Sequence, residues 1–302
     1  MKPKVSIILP VFNGEKTVER CLKSLIGQTY RNTEIIAVDD GSMDRSLEIL
    51  KKFQKVRIIS SKHKGKSHAR NLGLKFANGQ FVFFGESDAY YSNNFVSACV
   101  DTVLNNPKVG SVAGRLLVWN KEKFLPKCKE VEREYAAATR KPKAGWFYLR
   151  RLVGKGFDER LDFGEDIELA DRVRKQGFTV EWCKKARWYH YEPELLSAEF
   201  DRNLLFGRNI LELVAKNRKL GLIELLKSFY YPLLTLTMIL TFLNPVFSII
   251  FLLLFSVFLV RFIKFFFIST KLGYHSLHIL FLPVIWIIRS YARFLGIIFS
   301  VI

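Results

Sequence analysis

Three places in the chain put carboxylates where the backbone must turn. Asp39-Asp40 follows the apolar run Glu34-Ile-Ile-Ala-Val38, Glu86-Ser-Asp88 follows Phe81-Val-Phe-Phe84, and Glu165-Asp166 opens a helical pattern behind Gly164. Acids at i and i+2 on a strand end point to one side and repel, so a cation must compensate them. Glu86 and Asp88 offer hard oxygen donors of the kind that hold Mg²⁺ or Mn²⁺. The acids at 165 and 166 suit a helix N-terminus, where they complement the dipole, and also suit a proton acceptor. Asp39-Asp-Gly-Ser42 would equally serve as a turn that caps the next helix. The lysines of the 62–66 loop read as solvated. A nucleotide-binding GxGxxG or P-loop is absent from the first turn.

The elements that place these residues alternate. Val5–Leu9, Glu34–Val38, Val56–Ser60 and Phe81–Phe84 read as short buried strands. Residues 15–27 carry Val18, Cys21, Leu22, Leu25 and Ile26 at helical spacing, a second helix is expected over about 44–54, and a third over 165–176. This order predicts an α/β fold with a largely parallel, doubly wound sheet, whose ligands bind beyond the carboxyl ends of the strands. Both Asp39-Asp40 and Glu86-Ser-Asp88 sit at such ends.

Composition splits the 302 residues unevenly. No charge occurs from Ser228 to Val260, and no Asp or Glu follows Glu224. The expected organisation is a soluble domain over 1–220 and a membrane region over 221–302, with apolar helices at about 228–243, 246–268 and 277–302. Asn244-Pro245 divides the first two, either as the turn of a hairpin or as the kink of one long helix. Lys227 before it and Arg261, Lys264 and Lys271 after it place both ends in the cytosol by the positive-inside rule. Arg289 and Arg293 share one face of the last segment, which either spans or lies in the interface. The net charge of +19, with Lys216, Arg218 and Lys219 beside the tail, suits anionic lipid headgroups better than nucleic acid, and no nucleic-acid partner is expected. Cys21, Cys99, Cys128 and Cys183 lack ligand spacing and read as free thiols of a reducing compartment. The apolar run after MKPK is too short for a signal peptide. A multi-pass membrane protein with its soluble part in the cytosol is expected.

Four segments in order, PVFNGEKTVERCLKSLIGQTY, AVDDGSMDRS, GKSHARNLGLKFANGQFVFFGESD and GFDERLDFGEDIELADRVRKQGF, resemble the family 2 glycosyltransferases of the GT-A fold over about residues 1–210. The resemblance implies an inverting enzyme that takes a sugar from a nucleotide diphosphate donor. It implies that Pro10, Phe12 and Asn13 line the nucleotide with Asp39, that Asp40 reads the base edge, and that Arg70 lies near the diphosphate. Glu86-Ser-Asp88 stands where the family has DxD, with Glu in place of the first Asp. Asp88 is then the metal ligand, and Glu86 binds the ribose or, through water, the metal. His190 in Trp-Tyr-His matches a further metal-binding histidine. Asp166 matches the general base, with Glu165 orienting it or binding acceptor. Gly145-Trp146 would line the acceptor side, and Arg202 and Arg208 would clamp a diphosphate or acceptor phosphate or form a basic helix face.

A base implies a hydroxyl acceptor, since a phosphate acceptor is already ionised. The expected partners are therefore a nucleotide-diphosphate sugar, a lipid-linked or glycan acceptor and membrane lipids, with Mg²⁺ or Mn²⁺ as cofactor. No QxxRW-like segment follows the base, so one sugar per encounter is expected. Two other readings remain: a polyprenyl-phosphate glycosyltransferase, and a catalytically inactive GT-A membrane subunit.

Overall fold

The computed structural model describes residues 2–161, 163–216, 218–274 and 276–301; Asp162 of the fourth segment and Ile302 of the last helix lie outside them. The first part of the chain alternates as expected: β1 (Val5–Val11), α1 (Val18–Ile26), β2 (Thr33–Asp39), α2 (Ser46–Lys51), β3 (Val56–Ser60), α3 (Lys66–Lys75) and β4 (Phe81–Phe84). After it come β5 (Ala89–Tyr91), α4 (Phe95–Leu104), β6 (Val109–Val118), α5 (Phe124–Thr139), β7 (Phe147–Leu149), α6 (Arg150–Val153), α7 (Glu165–Lys175) and β8 (Thr179–His190). The chain closes with α8 (Leu196–Arg208), α9 (Ile210–Lys216), α10 (Arg218–Leu240), α11 (Val246–Lys271) and α12 (Ser276–Val301).

All eight strands form one sheet in the order β3-β2-β1-β4-β7-β6-β8-β5. The half β3-β2-β1-β4 is parallel, as a crossover helix joins each of β1, β2 and β3 to the strand that follows it. The other half is mixed: β6 and β8 run parallel, but β7 pairs antiparallel with β4 and β6, and β5 antiparallel with β8. The doubly wound expectation therefore holds for half of the sheet. β5 is reached from β4 through the four residues Gly85–Asp88, too few for a crossover. β1 is buried on both faces, Ile7 and Leu9 packing with Leu22 and Leu25 of α1 on one side and Ile8 with Ala69 and Val82 on the other. Helix α2 is shorter than 44–54 because the Asp44 carboxylate is taken by the backbone N–H groups of Ser46 (2.9 Å) and Glu15 (3.0 Å).

The described chain forms two compact units, residues 1–119 with 140–191, and residues 120–139 with 192–302. This division differs from a single break near 220. Helices α5 and α8 belong with the tail because their charged and apolar side chains pack on α10–α12. In that second unit Arg289 of α12 bonds Glu132 of α5 (2.6 Å) and Glu199 of α8 (2.5 Å), and Arg293 bonds Glu224 of α10 (3.2 Å). Helix α10 starts ten residues before Ser228, since its first turns are polar and pack on α9, with Gly221 against Val214. Residues 241–245 separate α10 from α11, and Asn244 Oδ1 accepts from Val246 N at 2.9 Å, so the Asn-Pro pair is a turn between two helices and not a kink in one. Gly221–Leu240, Val246–Lys271 and Leu277–Ser300 are each long and apolar enough to cross a membrane.

Helices α8 and α12 approach at two glycines. A Cβ on Gly207 would lie 2.2 Å from the Arg293 carbonyl oxygen, and one on Gly296 would lie 2.2 Å from that of Leu204. Gly296→Val should cost roughly 1–3 kcal/mol or more through overpacking, and should lower the unfolding temperature of the detergent-solubilised protein. Ile298→Val, at an exposed position two residues on, should leave it unchanged; equal transitions for both variants would show that the helices are not in contact there.

Candidate active site

The site is assembled from strand ends in the first unit. Beyond β1, the chain turns at Asn13, whose φ of 48° is in the left-handed region that Asn tolerates. Asn13 N donates to Ser42 Oγ (3.0 Å) and its Oδ1 accepts from Met43 N (2.9 Å), while Gly14 N donates to Ser46 Oγ (2.8 Å). These bonds lock the loops after β1 and β2 together. Pro10 pairs with Val38 within the sheet. Asp39 is buried, and its Oδ1 has no hydrogen-bond partner, which is uncommon for a buried carboxylate oxygen and leaves an acceptor to be filled.

Asp40 is engaged by the loop that follows β3. Its carboxylate accepts from Lys64 N (3.1 Å), Gly65 N (2.8 Å) and Ser61 Oγ (3.4 Å), and His63 Nδ1 lies 2.9 Å from Oδ2. It thus pins the 61–65 loop, which lays the His63 ring on Phe12 with centroids 3.9 Å apart. Phe12 is otherwise exposed, so the stacked pair is a ready aromatic surface. His63 carries no signal in the sequence; only the fold brings it to Phe12.

Glu86-Ser-Asp88 forms the turn from β4 to β5. Glu86 N donates to the Tyr91 hydroxyl (2.8 Å), and its carbonyl accepts from the Cys21 thiol (3.3 Å). Pairing of β5 with β8 sets Ala89 opposite His190. His190 Nε2 is thereby 3.2 Å from Asp88 Oδ2 and 3.5 Å from Glu86 Oε2, and the three ligand atoms lie within 4.8 Å of one another. Two carboxylate oxygens and an imidazole nitrogen are a fitting donor set for a divalent cation. Burial pushes the Glu86 carboxyl up, and the Asp88 charge adds to this, while His190, Arg70 and Lys66 pull it back. Glu86 belongs to the cluster as much as Asp88 does.

Arg70 answers for the remaining charge. It is buried, with its guanidinium 4.7 Å from the Trp146 ring and 5.1 Å from the Phe157 ring. Nη1 donates to Glu165 Oε1 (2.9 Å) and Nη2 lies 3.8 Å from Glu86 Oε1. Nε is buried without a hydrogen-bond partner. Lys66 Nζ reaches the same Glu165 oxygen at 2.9 Å. Arg70, read from the sequence as a diphosphate cation, is thus already held by two carboxylates. Trp146 is its shelf: the Gly145-Trp146 stretch extends β7 beside β4, with Trp146 O accepting from Phe84 N (2.9 Å), and a Cβ on Gly145 would meet Ser111 Oγ at 2.4 Å. Phe157 is held by Asn71, which exchanges two hydrogen bonds with its backbone (2.9 and 2.8 Å).

Asp166 is half-buried on the first turn of α7 beside Glu165. Its carboxyl is pushed up to about 6, chiefly by burial and then by the Glu165 charge, with Lys66 and Arg70 opposing. A carboxylate so placed accepts a proton near neutral pH. Arg202 and Arg208 belong to α8 in the second unit, where Arg202 pairs with Glu199 (2.9 Å) and Glu192 (3.6 Å) and Arg208 is exposed at the helix end.

The sequence profile of Glycosyl transferase family 2 matches residues 6–156, half of the chain and all of the loops just described except those of α7 and β8. The chain belongs to this family. It is 41% identical over 97 residues to the glycosyltransferase GlyA of Streptococcus pneumoniae, across 31% of this chain and 14% of GlyA. It is 40% identical over 96 residues to UDP-Glc:alpha-D-GlcNAc-diphosphoundecaprenol beta-1,3-glucosyltransferase WfaP of Escherichia coli, across 31% of this chain and 38% of WfaP. The chain therefore matches less than half the length of either relative. The mannosyltransferase PcManGT of Pyrobaculum calidifontis, solved with GDP-Man and Mn²⁺, superposes with a TM-score of 0.62 at 14% identity, covering 100% of this chain and 88% of that one. The fold is GT-A, with three apolar helices consistent with membrane anchoring, and residues 6–156 carry the family 2 glycosyltransferase domain. Divalent cations are typical of the family.

Removing one ligand of the cluster should be visible without turnover. Mn²⁺ binding followed by electron paramagnetic resonance should weaken by about tenfold or more in Asp88→Ala and in His190→Ala. Unchanged binding in both would remove the metal from this cluster.

Proposed function

We propose that this family 2 enzyme is an inverting, metal-dependent transferase that moves a sugar from a nucleotide diphosphate to a hydroxyl of a lipid-linked acceptor at the cytosolic membrane face. The observation that carries the reading is that the Glu86/Asp88/His190 cluster and the Glu165-Asp166 turn share one buried cation, Arg70. Catalysis is assigned to the part of the chain before 220 and membrane binding to 221–302.

In this reading the stacked Phe12 and His63 rings take the nucleobase beside Pro10, Asn13 and the loop that Asp40 pins. The unpartnered Asp39 oxygen accepts from a base N–H or a ribose hydroxyl. Asp88 and His190, with Glu86, would hold Mg²⁺ or Mn²⁺, which when bound neutralises charge on the diphosphate leaving group. Asp166 takes the acceptor hydroxyl proton as that oxygen attacks the anomeric carbon. The bond to the diphosphate breaks, the electron pair leaves with the diphosphate, and the configuration inverts. Glu165, held by Arg70 and Lys66, orients that turn. A hydroxyl on a lipid-linked sugar is favoured because a base is provided and because WfaP is named for such an acceptor. The apolar tail would confine the reaction to the membrane surface, with the catalytic unit in the cytosol by the charge pattern around 227–271.

The test is nucleoside diphosphate release by detergent-purified protein with Mn²⁺ or Mg²⁺, a panel of nucleotide sugars and host lipids. Metal- and lipid-dependent release should be lost in Asp88→Ala and fall at least about 10²-fold in Asp166→Asn. An ionised base is needed, so the rate should be flat above and fall about tenfold per pH unit below about 6. Lys66→Met, which removes a charge that holds the Asp166 carboxyl down, should move this limb to higher pH. Full activity in Asp166→Asn with none in Asp88→Ala would point to a phosphate acceptor. No release with any donor would contradict the proposal.

A further inference from the structure

We infer that α12 does not cross the membrane but lies along its surface, sealed by ion pairs to α5 and α8 and presenting an apolar stripe to the lipid. The inference rests on the membrane reading above, in which α10 and α11 enter the bilayer, and it concerns the second unit alone.

By length and apolarity α12 qualifies as a third span. Its 26 residues make about 39 Å of helix, and Arg289 sits near the middle. An upright α12 would set that arginine close to the bilayer midplane. Arg289 is not alone at its level. It bonds Glu132 and Glu199, and Glu199 also holds Lys129 and Arg202 (2.9 Å). Glu192 binds Lys129 (3.0 Å), Arg133 and Arg202. One turn further along α12, Arg293 Nε donates to Asn203 Oδ1 (2.9 Å) and Nη1 pairs with Glu224. Burial pushes the Lys129 ammonium down to about 7, so this cluster is kept from water as well.

These partners fix the depth. Helix α5 has only 16 residues, six of them charged between Lys127 and Glu134. Helix α8 carries Glu199, Asp201, Arg202 and Arg208 in 13 residues. Neither is a segment that hydrocarbon accepts. Residues 289–296 of α12 pack on α8, through the Arg289–Glu199 pair and the two glycines, and on the first turns of α10, where Arg293 pairs with Glu224 and Ser290 Oγ donates to the carbonyls of Lys227 (3.1 Å) and Ser228 (2.9 Å).

The outer face of α12 completes the case. Leu277, Leu280, Val284 and Ile287 are exposed at helical spacing, opposite the buried Ile279, Leu282 and Ile285. At its start, Phe124 of the lysine-rich beginning of α5 lies against Phe281 (5.1 Å), and Lys127 stands over the Tyr274 ring (5.3 Å). Aromatic rings beside lysines belong at headgroup depth. The surface thus fits an anionic lipid leaflet, with the apolar stripe inward.

Single cysteines at Lys271 just before α12, at Ser300 and, as a reference on the catalytic unit, at Leu104 test this with the full chain in sealed membrane vesicles; the four native cysteines are buried. The readout is labelling by a membrane-impermeant maleimide in intact vesicles divided by that in detergent-opened ones. Retention after a carbonate wash, checked first, tests membrane insertion itself. Ratios for Ser300→Cys, Lys271→Cys and Leu104→Cys within about twofold of each other are expected, in vesicles of either orientation. A Ser300→Cys ratio inverted relative to the other two would show that α12 spans and would overturn the inference. A chain that washes off would overturn it together with the membrane reading.

Discussion

The first unit depends on burying one arginine. Arg70 has lost its water to Trp146 and Phe157, and a cation so enclosed is tolerable only against fixed negative charge. Glu165 supplies that charge at hydrogen-bond distance and Glu86 from 3.8 Å. The two carboxylates come from α7 and from the end of β4, elements 79 residues apart, so the same cation that needs them also draws them together. Removing one partner of such a buried pair typically costs about 3–5 kcal/mol, because the other is left charged and dry. The crowded acids Glu86, Glu165 and Asp166 would repel one another without Arg70 and Lys66 between them.

Around that centre the supports are backbone bonds more than side-chain pairs. Asp40 spends its oxygens on the 61–65 loop, Asn71 on the 157 turn, and Ser42 and Ser46 on the loop after β1. Such charge-assisted and backbone contacts position a site with little rotamer freedom left. The groups that remain unsatisfied, Asp39 Oδ1 and the Phe12–His63 surface, are those that the proposed function gives to the nucleotide.

Much of this was readable from residue order. The strands that carry Asp39, Asp40, Glu86 and Asp88, the helix that opens at Glu165, and the gap at Asn244-Pro245 follow from local apolar period and turn chemistry, which neighbouring residues determine. What could not be read depends on residues far apart in sequence. No local signal says that Asp40 serves a loop 24 residues on, that Trp146 shelves Arg70, or that β7 enters the sheet antiparallel. The grouping of α5 and α8 with the tail hides for the same reason: Glu132, Glu199 and Arg289 become partners only when three helices pack. Local composition marked 277–302 as apolar, and only the ion pairs say what its two arginines are for.

The most direct measurement is a double-mutant cycle on Arg70→Met and Glu165→Gln, read as kcat/KM for nucleoside diphosphate release. If one buried cation holds the base turn to the metal strand, the double variant should be little worse than the poorer single one, a coupling of at least about tenfold, or ~1.4 kcal/mol. Losses that simply multiply would show that Arg70 and Glu165 act independently, and would contradict a site built on their pairing.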